Sequence, residues 1–168
     1  AAQAIHWLEV MQSESLVPDK VSFTAVIDSC VKQGDSELAQ TWFEKMISAG
    51  VLPDMIAFTA LISGFTRKGD LSRAERLMEK ASLVGLVPDV ICYNAMIDGC
   101  ARRGVVDRAS GWIDKMVSVG LRPNTVSYNA VLKTCSKAGD VAAARLWLDR
   151  MLSKSVKPDV ISWNSAIA

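Results

Sequence analysis

The sequence predicts an all-α fold, an α-solenoid in which helix-turn-helix repeats stack into a superhelix. Three observations lead to this prediction. All five prolines lie 35 residues apart, at positions 18, 53, 88, 123 and 158. Glycines at 34, 69, 104 and 139 follow the same interval, and the apolar residues between these markers have helical spacing. A fixed period of this length is typical of proteins whose units bury their apolar faces against their neighbours.

The repeat boundaries follow from the residue after each proline, which is always Asp or Asn. We count the next residue as position 1. Residues 1–19 are then expected to hold the second helix of a partial repeat, and residues 160–168 the first helix of another. The four full repeats cover 20–54, 55–89, 90–124 and 125–159.

Each repeat is expected to contain two helices. The first covers positions 1–13, because an aromatic residue at 4 and apolar residues at 7, 8 and 11 share one helical face. Glycine at 15 ends it, and aspartate at 16 caps a second helix that buries positions 20, 23 and 27 until Gly or Ser at 31. Trp7 and Trp163 occupy such apolar positions in the partial repeats. Val105 replaces the aspartate in the third repeat, so its second helix is expected to begin later or fray, with Asp107 as a substitute cap.

The composition argues against several classes of function. The chain has one histidine, His6, and four cysteines without a Cys-x-x-Cys pair, so no metal site is expected. Cys30, Cys100 and Cys135 share position 11 and are expected to be reduced core residues. No apolar run reaches the roughly 18 residues of a membrane span, and no catalytic motif is present. We therefore expect no catalytic residues, no cofactor, no membrane association and no small-molecule substrate.

Three sequence features carry a family resemblance. They are V-S-F-T-A-V-I-D-S-C at 21–30, V-S-Y-N-A-V-L-K-T-C at 126–135, and the K-x-G-D turns at 32–35 and 137–140. With the strict 35-residue length, they resemble pentatricopeptide repeats of the P-type, along the whole chain. The resemblance implies a protein that binds single-stranded RNA in mitochondria or chloroplasts, although this segment shows no targeting peptide. It also implies one base per repeat, with the N-terminus toward the RNA 5′ end.

In this family the base is held by positions 2, 5 and 35. Positions 2 and 5 share a helix face, and position 35 precedes the next helix, so the three side chains are expected to converge. Position 2 is expected to sandwich bases between neighbouring repeats, through Val21, Ile56, Ile91, Val126 and Ile161. Positions 5 and 35 are expected to recognise the base, as the pairs Thr24 with Asp54, Thr59 with Asp89, Asn94 with Asn124, and Asn129 with Asp159.

The chemistry of these pairs predicts a target. An ionised aspartate only accepts hydrogen bonds and suits guanine or uracil, whose ring edge offers an N–H, whereas asparagine can donate to cytosine or adenine. Short threonine at position 5 leaves room for a purine, and longer asparagine favours a pyrimidine. This agrees with the base code of the family. The predicted core target is 5′-GGYU-3′, with Y favouring C.

A basic residue at position 13 of every repeat is expected to contact phosphates. These residues are Lys32, Arg67, Arg102 and Lys137. Positions 1–15 of the four repeats carry eight Lys or Arg and two Asp, a net charge of +6, whereas the rest of the chain sums to −5. The overall charge of +1 therefore conceals a basic layer of first helices.

Each assignment has a simpler alternative. Position 2 could be ordinary packing, positions 5 and 35 could cap helices, and position 13 could be a solvated cation that complements the helix dipole. The rival function is a helical scaffold that binds proteins or peptides without RNA specificity. End-to-end self-association through the uncapped partial repeats is a further possibility.

Overall fold

The computed structural model describes residues 1–167, and these form ten helices and no strand. The chain divides into two compact units, residues 1–87 and the residues from Pro88 onward. The first unit contains α1 (Ala2–Ser13), α2 (Lys20–Lys32), α3 (Ser36–Ser48), α4 (Met55–Lys68) and α5 (Leu71–Leu83). The second contains α6 (Val90–Arg103), α7 (Val106–Ser118), α8 (Thr125–Ala138), α9 (Val141–Ser153) and α10 (Val160–Ile167). The predicted all-α class is confirmed, and no helix in the described part is long and apolar enough to cross a membrane.

The first helix of each repeat starts at the Asp or Asn that follows proline. In α2, α4, α6 and α8 this side chain accepts a hydrogen bond from a backbone N–H of the first turn. Helices α4, α6 and α8 end on a glycine with positive φ, a conformation that is strained for residues with a Cβ. The cap therefore fixes where each first helix begins, and with it the placement of positions 2, 5 and 35.

Within each unit, first helices pack against the second helix of their own repeat and against first helices of neighbouring repeats. Helix α2 packs against α3 and α4, and α8 packs against α6, α9 and α10. The position-4 aromatics contact a tryptophan of the second helix in three repeats: Phe23 with Trp42, Tyr93 with Trp112, and Tyr128 with Trp147. The other faces of the first helices remain available to solvent.

The cysteines are free and buried. Burial raises the pKa of the Cys30 and Cys135 thiols, which keeps both protonated and weakly nucleophilic at neutral pH. The predicted core position of Cys30, Cys100 and Cys135 is thus confirmed. His6 is exposed on α1.

Two aromatic residues depart from the expected core. Trp7 is 61% exposed and Trp163 is 48% exposed, whereas Trp42 at the position equivalent to Trp7 is buried. In three of the four full repeats, the aromatic residues at positions 4 and 23 pack against one another. Trp7 and Trp163 lack the other helix of their repeat in this chain, so each leaves apolar surface in solvent.

The prediction that α7 begins late was wrong. It begins at Val106, in the same register as α3, α5 and α9, although Val105 offers no side-chain cap. Ala109, Trp112, Ile113 and Met116 are buried on its inner face. Packing of this face sets the helix start, and Asp107 in the first turn complements the positive end of the helix dipole.

Position 31 provides a test of backbone strain. Gly50, Gly85 and Gly120 adopt φ values of +76°, +81° and +82°, and Ser155 is held at +59°. Replacing Ser155 with glycine relieves a left-handed serine but gives the unfolded chain more freedom, so we expect a net stabilisation of about 0.5–1 kcal/mol. Urea unfolding measures it. The reverse change, Gly120→Ser, meets no atom within 4 Å of the new Cβ and should cost a similar amount through the backbone alone. Equal stability of Ser155→Gly and the parent chain would contradict this account.

Candidate nucleic-acid interface

The position-2 side chains form a series of exposed aliphatic groups. Each of the five is between 61% and 70% exposed, although the same helices bury position 4 almost completely in the full repeats. Ordinary core packing therefore does not account for valine or isoleucine at these positions. The hydrophobic effect favours covering such surface with an apolar or aromatic group.

A cleft of about 320 Å³ opens between α2 and α4 in the first unit. Val21 and Ile56 contribute to its apolar lining, and Thr24 and Asp54 contribute polar groups. Three predicted site positions, 2, 5 and 35, therefore meet in one concavity with position 2 of the following repeat. Three further residues, Lys20, Ala25 and Asp28, line the cleft without having been predicted from the sequence. Lys20 has no basic counterpart at position 1 of the other repeats, so no periodic signal marked it.

The Thr24 hydroxyl is the unusual group in this cleft. Its Oγ1 atom is buried and has no hydrogen-bond partner among the described residues. A buried, unsatisfied polar atom costs about 1–3 kcal/mol. A ligand that hydrogen-bonds to this hydroxyl while it fills the cleft would remove that cost.

Asp54 both caps α4 and faces the cleft. Its Oδ1 atom accepts hydrogen bonds from the Ile56 and Ala57 amides, each at 3.1 Å, and its Oδ2 atom lies 3.1 Å from the Lys20 ammonium. Burial raises the pKa of Asp54, but the Ala57 amide and the Lys20 ammonium outweigh burial and the net shift is downward. Asp54 is therefore ionised at neutral pH.

A hydrogen-bonded group occupies the equivalent place between α8 and α10 in the second unit. Asn129 Nδ2 donates to Asp159 Oδ1 at 3.0 Å, and the Ser162 hydroxyl donates to Asn129 Oδ1 at 2.5 Å. Hydrogen bonds from the Ser162 amide and the Asn129 side chain lower the pKa of Asp159. The predicted pair at positions 5 and 35 is thus in direct contact, and Ser162 is a participant that sequence reasoning missed.

Between α6 and α8, a serine again joins the two predicted residues. The Ser127 hydroxyl donates to Asn94 Oδ1 at 2.6 Å, and the Ser127 amide donates to Asn124 Oδ1 at 3.1 Å. Asn124 and Ser127 form a capping box at the start of α8. Asn94 and Asn124 are therefore brought together through Ser127.

The pair Thr59 and Asp89 is divided between the two units. Within the first unit, the Thr59 hydroxyl donates to the Met55 carbonyl at 2.6 Å. Within the second, Asp89 Oδ1 caps α6 by accepting from the Cys92 amide at 3.0 Å.

Capping and base contact at position 35 are compatible. In Asp54 and Asp159 one oxygen, Oδ1, accepts the backbone hydrogen bonds. A carboxylate can accept at both oxygens, so the cap leaves Oδ2 to other donors, and in Asp54 this atom lies 3.1 Å from the Lys20 ammonium. Helix capping therefore explains the bonds of Oδ1 and leaves the role of Oδ2 open to base contact.

The basic residues at position 13 are exposed and contact protein groups. Lys32 pairs with Asp28 at 2.6 Å and Arg102 with Asp98 at 2.9 Å, both within one helix. Arg67 and Lys137 donate to the Val31 and Arg102 carbonyls near the ends of neighbouring first helices. Exposed ion pairs of this kind contribute only about 0–1 kcal/mol, so a phosphate can replace the carboxylate at little cost.

The model of the PPR repeat family matches residues 18–67, 53–101, 88–136 and 123–168. No curated protein matches the sequence.

Several solved structures share this fold at low sequence identity. The pentatricopeptide repeat protein PPR10 from maize superposes with a TM-score of 0.87 over 95% of this chain, at 23% identity. PPR10 in complex with an 18-nucleotide psaJ RNA element gives 0.84 over 98% of this chain, at 25% identity. The PPR domain of Arabidopsis thaliana protein-only RNase P 1 in complex with tRNA gives 0.81, at 17% identity, covering 97% of this chain and 86% of that one.

The chain spans only 23–25% of the length of PPR10. The family model, in contrast, matches this sequence four times in succession and reaches from residue 18 to residue 168. These matches coincide with helix pairs that recur at one interval, and they establish that the chain belongs to the pentatricopeptide repeat family.

Proposed function

We propose that this chain binds single-stranded RNA and selects one base per repeat, with 5′-GGYU-3′ as its core target and Y favouring C. The observation that carries the proposal is the cleft between α2 and α4. It combines apolar lining from Val21 and Ile56 with an ionised carboxylate and an unsatisfied hydroxyl. A nucleobase has the complementary surface, since its faces are apolar and its edge is polar.

The chemistry of each repeat supports the proposed order of bases. Asp54 and Asp159 are ionised acceptors, which suit the ring N–H of guanine and uracil. Thr24 is short and leaves the cleft of the first repeat open for a purine, whereas Asn129 reaches Asp159 and leaves space for a pyrimidine. Asn124 can donate to the ring nitrogen of cytosine. The second repeat takes its guanine assignment from Thr59 and Asp89 in the sequence alone.

Binding of short labelled RNAs at modest salt tests the proposal. An RNA that contains GGCU should bind at least tenfold more tightly than poly-A, because each mismatched base in a specific site costs about 1–3 kcal/mol. Equal binding of both RNAs would reject base selection by this chain. It would instead favour the rival function, a scaffold for proteins or peptides.

The salt dependence of binding tests the role of position 13. With about four phosphate contacts, the log–log slope of affinity against salt should be near −3. Replacing Lys32, Arg67, Arg102 and Lys137 together with glutamine should bring the slope close to zero. A matched control replaces four exposed basic residues of the second helices and the loop after α9, namely Arg76, Arg108, Arg145 and Lys154. A control that flattens the slope equally would show that net charge, and not the row at position 13, governs binding.

The wider setting follows from family membership. We infer a role in organellar RNA metabolism, in a mitochondrion or chloroplast, in which the chain binds RNA and other proteins supply any chemistry. The exposed Trp7 and Trp163 are the surfaces through which copies of this segment would associate end to end. A constant molecular mass from micromolar to millimolar concentration would exclude that association.

A further inference from the structure

Two buried serines at position 3 contact the position-5 residue of the preceding repeat. Ser127 and Ser162 are fully buried at the starts of α8 and α10. Their hydroxyls lie 2.6 Å from Asn94 Oδ1 and 2.5 Å from Asn129 Oδ1. Both distances are short for hydroxyl hydrogen bonds, and both link consecutive repeats within the second unit.

The number of available protons decides how each serine is bonded. Ser162 Oγ accepts from the Asp159 amide at 3.0 Å, and its single proton can go to Asn129 Oδ1 at 2.5 Å or to Asp159 Oδ1 at 3.0 Å. Asp159 Oδ1 already accepts from the Ser162 amide and from Asn129 Nδ2. The shorter contact to Asn129 is therefore the one that the proton makes, and Ser127 repeats the arrangement toward Asn94 at 2.6 Å against 3.1 Å.

This bond fixes which way the Asn129 amide points. With Oδ1 held by Ser162, Nδ2 faces Asp159 and donates to its carboxylate. The flipped amide would place Oδ1 against an ionised carboxylate, which is repulsive. An incoming base consequently meets an amide donor beside a carboxylate acceptor, the pattern that complements a carbonyl oxygen next to a ring N–H in uracil.

The sequence varies in step with this geometry. Position 3 is serine where the preceding position 5 is asparagine, as in Asn94 with Ser127 and Asn129 with Ser162. Where position 5 is threonine, the next position 3 is Ala57 or Cys92, and neither has a hydroxyl. Threonine has no amide to orient. Beside Ala57, the Thr24 hydroxyl is left without a partner in the described residues.

We propose that the serine at position 3 of the following repeat is a positioning residue for base selection, which orients the asparagine at position 5 so that it presents its NH₂ group to the base. The inference rests on the proposed function. Helix capping alone is the competing explanation, since the Ser22 hydroxyl at the start of α2 donates to the capping residue Asp19 at 2.9 Å. A capping role predicts a loss of stability, whereas a positioning role predicts a change in the preference between bases.

Transplanting the pair into the first repeat separates the two explanations. Thr24→Asn and the double variant Thr24→Asn with Ala57→Ser are compared on RNAs that carry U or G at the first target base. The double variant should favour U over G about tenfold more strongly than the single variant, because it alone holds the new amide in one orientation. An equal U:G ratio in the two variants would overturn the positioning role.

Ser162→Ala is the opposite test, because it removes the serine hydroxyl that contacts Asn129. The U:C ratio at the fourth base should fall about threefold to tenfold, while the preference at the first base stays as in the parent chain. A fall in thermal stability with an unchanged U:C ratio would overturn the inference in favour of capping. A parent chain that selects no base at any repeat would overturn the proposed function and the inference with it, so the two failures are distinguishable.

Discussion

Exchanging the carboxylate and the amide at position 35 is expected to exchange the base preferences of the third and fourth repeats. Asn124→Asp should convert the third base from C to U, and Asp159→Asn should convert the fourth from U to C. The expected change in each C:U ratio is tenfold or more, which corresponds to about 1.4 kcal/mol. This is at the lower end of the discrimination that paired hydrogen bonds to a base provide.

The substitutions should change the hydrogen bonds to the base edge and leave the fold intact. Asn124 Oδ1 accepts from the Ser127 amide at 3.1 Å, and Asp159 Oδ1 accepts from the Ser162 amide at 2.9 Å. Asparagine and aspartate both provide this oxygen, so both caps survive the exchange. What changes is the second polar atom of the side chain, which is NH₂ in one case and an acceptor oxygen in the other.

Competition binding with RNAs that differ at a single base measures both ratios. Asp19→Asn is the matched control, because Asp19 caps α2 through the Ser22 amide at 2.9 Å but has no position-5 partner in the chain. Asp19→Asn should leave the C:U ratios at the third and fourth bases unchanged. If Asn124→Asp and Asp159→Asn retain the parent C:U ratios, position 35 does not read the base.

The sequence predicted the framework of this fold because each marker has a local cause. Proline excludes the helical conformation for the residue before it, the following Asp or Asn caps the next helix, and glycine accepts a positive φ. These effects operate within a few residues, so their 35-residue recurrence could be followed along the chain. The solvent exposure of position 2 could also be predicted from the sequence, since Val21 lies off the helix face that buries Phe23.

What escaped prediction depends on contacts between neighbouring repeats or on the side chains that a particular repeat contains. Helix α7 starts in register without a side-chain cap because Trp112 and Met116 are buried, and this burial depends on neighbouring helices that a local capping signal does not report. The bonds of Ser162 and Ser127 to asparagines 33 residues earlier are visible only once first helices pack side by side. The pairing of Asn at position 5 with Ser at the next position 3 was present in the sequence, but its meaning required the geometry.

Phe58→Ala and Ile56→Ala, two residues apart on α4, are expected to separate stability from binding. Phe58 is 1% exposed and packs edge-on against Phe43 of α3 with ring centroids 4.9 Å apart. Its loss should reduce the free energy of unfolding by about 3–5 kcal/mol, through lost burial and the cavity left behind. Repeat arrays are held together mainly by contacts between neighbours, so the loss at the junction of α3 and α4 should destabilise the first unit as a whole.

Ile56 has the opposite environment, since it is 68% exposed and contributes to the cleft that we assign to the first base. Ile56→Ala should change the free energy of unfolding by less than about 1 kcal/mol, because little of this side chain is buried before RNA arrives. It should nevertheless weaken binding of GGCU RNA about fivefold or more, since a stacked base contributes about 1–3 kcal/mol and loses part of one wall. Urea unfolding measures the free energy of unfolding of both variants, and RNA titration measures their affinities for GGCU RNA. A stability loss for Ile56→Ala as large as that for Phe58→Ala would show that position 2 belongs to the core, and normal RNA binding by Ile56→Ala would show that the base does not stack on this side chain.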